Sequence, residues 1–372
     1  MSTRGSGEDP ANGPGPEADS NSGAGLPWLD EPRRRILATQ RAHALLIHGP
    51  GNVGQFDLAS AVAQGWLCES AQLAPADRPC GRCASCRLVA ARSHPDLLVL
   101  VPEALRESLG WEQGGGEGEE GGEGASAKRK PSKDIRVEAV RAAIVFATTT
   151  SARGRGKVVV IHPAERMNDV AASAFLKTLE EPAGPTRFLL CSAAPDRLLP
   201  TIRSRCQHIA LAVPPARLAE AWLAAQDVQQ PAVLLAASGG QPQEALERAA
   251  QGLDAETWLA LPGRIARGDA SALQGWPLPL AVETLQKVCH DALCLACGGA
   301  PRYFPSDRVA PGAEPLALLR WSRELARVAL EAEHPWSADL AIESLVEQGR
   351  QALKTPRSER REGKALSLNS PR

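Results

Sequence analysis

Apolar residues recur at helical spacing between positions 28 and 40 and lead into Ala44-Leu45-Leu46-Ile47, an unbroken run suited to a buried strand. A glycine-rich turn follows at once. From Asp57 onward Leu58, Ala61, Val62 and Trp66 share one helical face, which completes a strand, a loop and a helix. Further apolar runs at 97–101, 158–161 and 188–191 predict three more strands, with helical patterns over 135–148 and 170–179. Such alternation predicts an α/β fold, a parallel sheet covered by helices. After position 212 no strand is predicted. Ala, Leu and Gln dominate segments interrupted at Ser238-Gly239-Gly240 and Pro262-Gly263, so this half is predicted to be helical.

The same pattern divides the chain. A polar tail covers 1–25, the sheet domain 26–212, a small helical unit 213–262, a larger helical bundle 263–353, and a polar basic tail 354–372. Residues 1–25 lack the apolar core of a signal peptide, and the Gly/Glu run at 112–133, closing on Lys128-Arg129-Lys130, is too polar to pack. Both are expected to be disordered. No solenoid repeat occurs.

Composition narrows the function classes. The 372 residues are 43% hydrophobic with a net charge of -1, which gives no global attraction to nucleic acid. No apolar run approaches the roughly 18 residues of a membrane span. The expected location is the cytoplasm, where thiols stay reduced, so the nine cysteines point to metal ligands or buried thiols before disulfides.

The turn after the first strand reads Gly49-Pro50-Gly51-Asn52-Val53-Gly54-Gln55-Phe56 and keeps the glycine spacing of GxxxxGK[ST] between a strand and a helix. Gly49, Gly51 and Gly54 would let backbone amides cradle phosphates at a helix N-terminus. The lysine that would neutralise the β- and γ-phosphates is Gln55, and the hydroxyl residue that would ligate magnesium is Phe56. Further on, Val158-Val159-Val160-Ile161 ends in His162-Pro163 where such ATPases carry an Asp-Glu pair, and Glu165 is expected to be an exposed helix-start carboxylate. Both halves of the catalytic apparatus are missing. ATP binding is expected to be weak or absent and turnover lost; a plain Gly/Pro turn is the alternative.

Cys68, Cys80, Cys83 and Cys86 supply four thiolates, three of them in a CxxCxxC run, as tetrahedral zinc requires. With all four positions filled by protein the zinc would be structural. An iron-sulfur cluster is the main rival, but the ferredoxin-type Cys-Pro is absent; four unliganded thiols are the bland alternative, and His94 is a rival for the fourth ligand. Cys289, Cys294 and Cys297 lie in a Leu- and Ala-rich segment and are expected to pack in the bundle, with His290 at the surface.

Met167-Asn168-Asp169, then Ala174-Phe175-Leu176-Lys177-Thr178-Leu179-Glu180-Glu181-Pro182, and Ser204-Arg205-Cys206 closely resemble the clamp-loader branch of the AAA+ ATPases, in particular its bacterial delta-prime subunits. The resemblance implies a RecA-like AAA+ domain with a zinc module at 68–86, a helical lid and an all-α collar. It implies a subunit of the DNA polymerase III holoenzyme that lacks polymerase and ATPase activity of its own. The implied partners are tau/gamma and delta subunits, and, through the complex, a sliding clamp and primed DNA. Ser192 then stands at a polar sensor position, and Gln243 where a second sensor would carry arginine. In such assemblies the arginine matching Arg205 projects in trans into a neighbour's ATP site, with Arg203 a structural neighbour. An active tau/gamma-like ATPase and a freestanding zinc-containing DNA-binding protein are the readings from other classes.

Overall fold

The computed structural model describes residues 25–111, 131–331 and 337–354. The tail at 1–24, most of the Gly/Glu insertion, and the C-terminal tail from 355 lie outside the described residues. Five parallel strands form one sheet: β1 (Ala44–His48), β2 (Leu97–Leu100), β3 (Lys157–Ile161), β4 (Thr186–Ser192) and β5 (Gln207–Ala210), in the order β2-β3-β4-β1-β5. β1 is therefore an interior strand between β4 and β5, with Leu46 opposite Leu190 on one side and His208 on the other.

Helices α1 (Asp30–Thr39) and α2 (Gln55–Leu67) cover one face. The short α3 (Ala84–Ala90) and α4 (Glu103–Arg106) flank β2, and α5 (Val137–Thr148) and α6 (Asp169–Glu180) cover the other face. Because strand side chains alternate, each buried strand serves two cores. Leu45, Ile47, Val158, Val160 and Leu189 join the first; Leu46, Val159, Ile161, Phe188 and Leu190 join the second.

Strand β5 was not predicted from the apolar pattern. Of its four residues only Ile209 is buried, so an edge strand next to β1 leaves no alternation to read. The one-turn helix α7 (Pro200–Arg203) leads into it.

The remainder is helical: α8 (Ala216–Ala224), α9 (Pro231–Ala237), α10 (Pro242–Ala250), α11 (Ala255–Arg267), α12 (Leu278–Ala296), α13 (Pro315–Glu331) and α14 (Ala338–Ala352). The break expected at Ser238-Gly239-Gly240 is present, with both glycines at positive φ. The break expected at Pro262-Gly263 is absent. There α11 runs on through a buried Pro262, capped by Asp254 at its start and by Gly268, at φ 80°, at its end. An internal proline costs a helix about 3 kcal/mol, which burial of Trp258, Leu261 and Ile265 against α12, α13 and α14 outweighs. Helices α8 to α10, by contrast, share the core of the α1 and α2 face, where Trp28 and Trp222 meet edge to face at 5.5 Å. No described helix is long and apolar enough to cross a membrane.

Candidate functional site

The phosphate loop follows the end of β1, and two of its glycines, Gly49 and Gly54, are required by close contacts. A Cβ on Gly49 would lie 2.0 Å from the Leu211 carbonyl oxygen, and Gly54 takes φ +98° where α2 begins. The segment before α1 closes over the loop: Trp28 Nε1 donates to the Val53 carbonyl at 2.9 Å, and the Leu26 and Leu29 methyls press on Gly54.

What fills the loop is its own glutamine. Gln55 is buried, and its Nε2 donates to the carbonyls of Gly49, at 3.1 Å, and of Pro50. A lysine here would extend its charge toward phosphate, whereas the carboxamide folds back and ties the loop to itself. Phe56 stacks on His162 with ring centroids 4.9 Å apart, so two rings occupy the ground where a metal-binding hydroxyl and carboxylate would face each other. Burial lowers the His162 pKa and keeps the ring neutral, which adds no charge to the site.

Glu165 departs from expectation. It is half-buried: Oε1 accepts from the Ala193 amide at 3.0 Å, while Oε2 is buried without a partner. The short 3-10 turn Ala164–Arg166 places it against the end of β4 instead of in solvent. Ser192, at that strand end, is buried and accepts from the Ala194 amide at 3.2 Å. Gln243 reaches across from α10 to Asp57 of α2 at 3.0 Å, and Asn52 of the loop donates to Glu244 at 2.5 Å. The helical unit is thereby latched onto the loop by neutral amides.

Arg205 stands apart from this pocket. It follows α7, pairs with Glu180 at the end of α6, and donates to the Thr201 carbonyl at 2.9 Å with about a third of its side chain exposed. Arg203 pairs with Asp196 at 3.1 Å.

The four cysteines converge. The Sγ atoms of Cys68, Cys80, Cys83 and Cys86 all lie within 4.8 Å of one another, and Cys80 and Cys86 are 3.9 Å apart. Zinc bonded to sulfur at about 2.3 Å in a tetrahedron sets neighbouring sulfurs about 3.8 Å apart, so the donor set fits the ion. Amides of Cys80, Cys83 and Cys86 donate to the sulfurs of Cys68, Cys80 and Cys83 at 3.3 to 3.4 Å. Bonds of this type favour thiolates, and amides of Arg82 and Cys83 hold the Cys80 thiol down to about 6. Cys68 ends α2 and Cys86 lies in α3, so the cluster joins two helices. His94 is not in it: its Nε2 bonds Ser85 Oγ at 2.9 Å and its Nδ1 accepts from the Asp96 amide. Of the later cysteines Cys289 packs in the bundle as expected, whereas Cys294 is half-buried and Cys297 exposed where α12 ends.

The residue that anchors this module, Asp96, was not singled out from the sequence. Fully buried ahead of β2, it accepts from the Ala152 and Arg153 amides and from Ser151 Oγ at 2.7 to 2.9 Å, with Lys157 Nζ at 3.5 Å. Burial pushes its pKa up, but these donors outweigh burial and hold it below the usual carboxylate range. Its stabilising effect is complete above the unfolded-state pKa and is lost as pH falls through the depressed folded value. Asp96→Ala leaves Lys157 buried and unpaired; a loss of about 3–5 kcal/mol is expected in a urea melt at neutral pH. A shift within error would show that Lys157 finds another partner.

A five-stranded parallel sheet with a glycine loop between an interior strand, β1, and the following helix defines a protein of the phosphate-loop class, here with the loop closed upon itself. A family model described as "DNA polymerase III, delta subunit" matches residues 30–215. DNA polymerase III subunit delta' of Pseudomonas aeruginosa is 40% identical over 218 residues, 58% of either chain, and that of Escherichia coli 30% identical over 283 residues, 70% of this chain and 76% of that one. The chain thus spans about 58% of the length of the first relative. A solved DNA polymerase III gamma subunit-related protein of Thermotoga maritima superposes with a TM-score of 0.47 at 16% identity, covering 88% of this chain and 100% of that one. The chain belongs to the DNA polymerase III subunit delta' family.

Proposed function

We propose that the chain is a non-hydrolysing subunit of a replicative clamp loader, assembling with tau/gamma-type and delta-type subunits to place a sliding clamp on primed DNA. The observation that carries the non-hydrolysing part is Gln55, whose carboxamide is spent on the carbonyls of its own loop. Beside it the Phe56 and His162 rings meet in place of the hydroxyl and the strand-end carboxylate that would hold magnesium. In this reading the sheet and its latched helices form a rigid AAA+ unit, and the α11 to α14 bundle serves as the collar. Arg205 serves a neighbour's ATP from outside the closed loop. Zinc on Cys68, Cys80, Cys83 and Cys86 holds the module between α2 and β2, and the complex works in the cytoplasm.

Reconstitution tests the proposal. The purified chain is expected to co-elute with a tau/gamma-type ATPase and a delta-type subunit, and to turn over no ATP alone. Recovery with neither partner, or robust hydrolysis by the chain alone, would refute it.

A further inference from the structure

At the end of the sheet opposite the phosphate loop lies a cleft of about 280 Å³ with an unbalanced charge. Its wall includes Arg41, Arg78, Arg155 and Arg187, together with Trp66, and among the described residues no carboxylate lines it. The chain as a whole carries a net charge of -1, so four guanidiniums gathered without an acid are a local feature. The fold brings them together from four segments. Arg41 stands between α1 and β1, Arg78 beside the turn Pro75–Asp77, Arg155 just before β3, and Arg187 at the second position of β4. These are the starting ends of the strands. The five-residue β1 separates them from the Gly49 loop by about 16 Å at roughly 3.3 Å per residue.

Two of the cations are held in place without being neutralised. Arg187 lies over the Trp66 ring at 4.6 Å, and both burial and the neighbouring Arg41 charge lower its pKa. Arg155 donates through Nε and Nη2 to the Cys68 carbonyl at 3.1 and 2.6 Å, a neutral acceptor. Arg78 has its Nε buried without any partner. Asp77, the adjacent acid in sequence, is engaged by Arg34 at 2.9 Å. Among the described residues none of the four arginines forms an ion pair. Surface arginines ordinarily find carboxylates or spread into solvent. Four converging on one cleft, one fixed on an aromatic face, repel one another until an anion enters.

We propose that this cleft is an oxyanion site that takes a phosphate-bearing ligand the size of one or two phosphoryl groups. Guanidinium forks match phosphate oxygens bidentately, and the cleft offers them from several directions, which suits a tetrahedral anion better than a planar carboxylate. The source is a free polyphosphate or the phosphodiester backbone of a nucleic acid strand.

The test is calorimetric titration of the full chain with pyrophosphate at low ionic strength. A saturable one-to-one isotherm is expected, weakened at least tenfold by Arg41→Gln and unchanged by Arg320→Gln, an exposed arginine on α13 that removes the same charge. Arg41 is exposed, so its replacement spares the core; Arg155→Gln serves as a second variant with the same expected loss. An arm with an oligothymidylate strand assigns the source. Displacement by pyrophosphate identifies a strand backbone, and failure of the strand to bind identifies a free polyphosphate; either supports the site. No saturable uptake at millimolar pyrophosphate, or equal weakening by Arg320→Gln, would overturn it. The readout needs no partner subunit, so it stands independently of the clamp-loader proposal.

Discussion

Arg205→Ala is expected to lower ATP hydrolysis at the neighbouring site of the reconstituted complex by about a thousandfold, the scale of arginine fingers supplied in trans. The chain itself should fold unchanged. Arg205 is attached to the surface by one pair with Glu180 and one bond to Thr201, and both partners of the pair are a third or more exposed. Such pairs contribute about 0–1 kcal/mol, so the guanidinium can leave Glu180 for a neighbour's γ-phosphate at small cost. Arg205→Lys is expected to recover little, because an ammonium lacks the planar fork that spans two phosphate oxygens. Steady-state ATPase of complexes built with each variant, with co-elution confirming assembly, is the measurement. Unchanged turnover in the assembled Arg205→Ala complex would reduce the residue to a partner of Glu180.

The departures of the phosphate loop from its motif were legible in the sequence. The loop is a local object, and reading Gln55 and Phe56 at the lysine and hydroxyl positions needs only spacing. How the site became closed was not legible. The Phe56 and His162 rings are more than a hundred residues apart in the chain, and nothing in either position announces a stack. Four strands were legible because burial on both faces makes unbroken apolar runs, such as Val158-Val159-Val160-Ile161. The edge strand β5, with one buried residue, carried no such signal. Pro262 misled because local propensity was set against a tertiary core around Trp258 that only the fold reveals. Asp96 was hidden likewise, since its donors at 151–153 lie far along the chain. The cysteine spacing, by contrast, specified a cluster almost unaided.

That cluster carries the second large effect. Elemental analysis is expected to find about one zinc per chain in a colourless protein, and Cys80→Ser to lose the metal. Structural zinc contributes apparent free energies of about 10–16 kcal/mol in small peptides that fold only around it. Here the ion would fasten the end of α2 to α3, a helix of seven residues that is too short to persist alone. Cys68 and Cys80 lie outside the three apolar cores, so removal of the metal should release the 68–80 segment while the sheet remains folded. Limited proteolysis reads this directly: chelator or Cys80→Ser should open cleavage between Cys68 and Cys80, with the rest of the sheet domain protected. Asp96 sharpens the expectation. Its loop at 151–153 meets the module through Arg153, which pairs with Glu69 at 2.7 Å and reaches Ser85 at 3.2 Å. These contacts should keep α3 near its place after metal loss, so cleavage is expected first in the residues between Cys68 and Cys80. Iron or visible colour would assign a cluster instead, and a metal-free protein with an unchanged digest would leave four reduced thiols with no ion to hold.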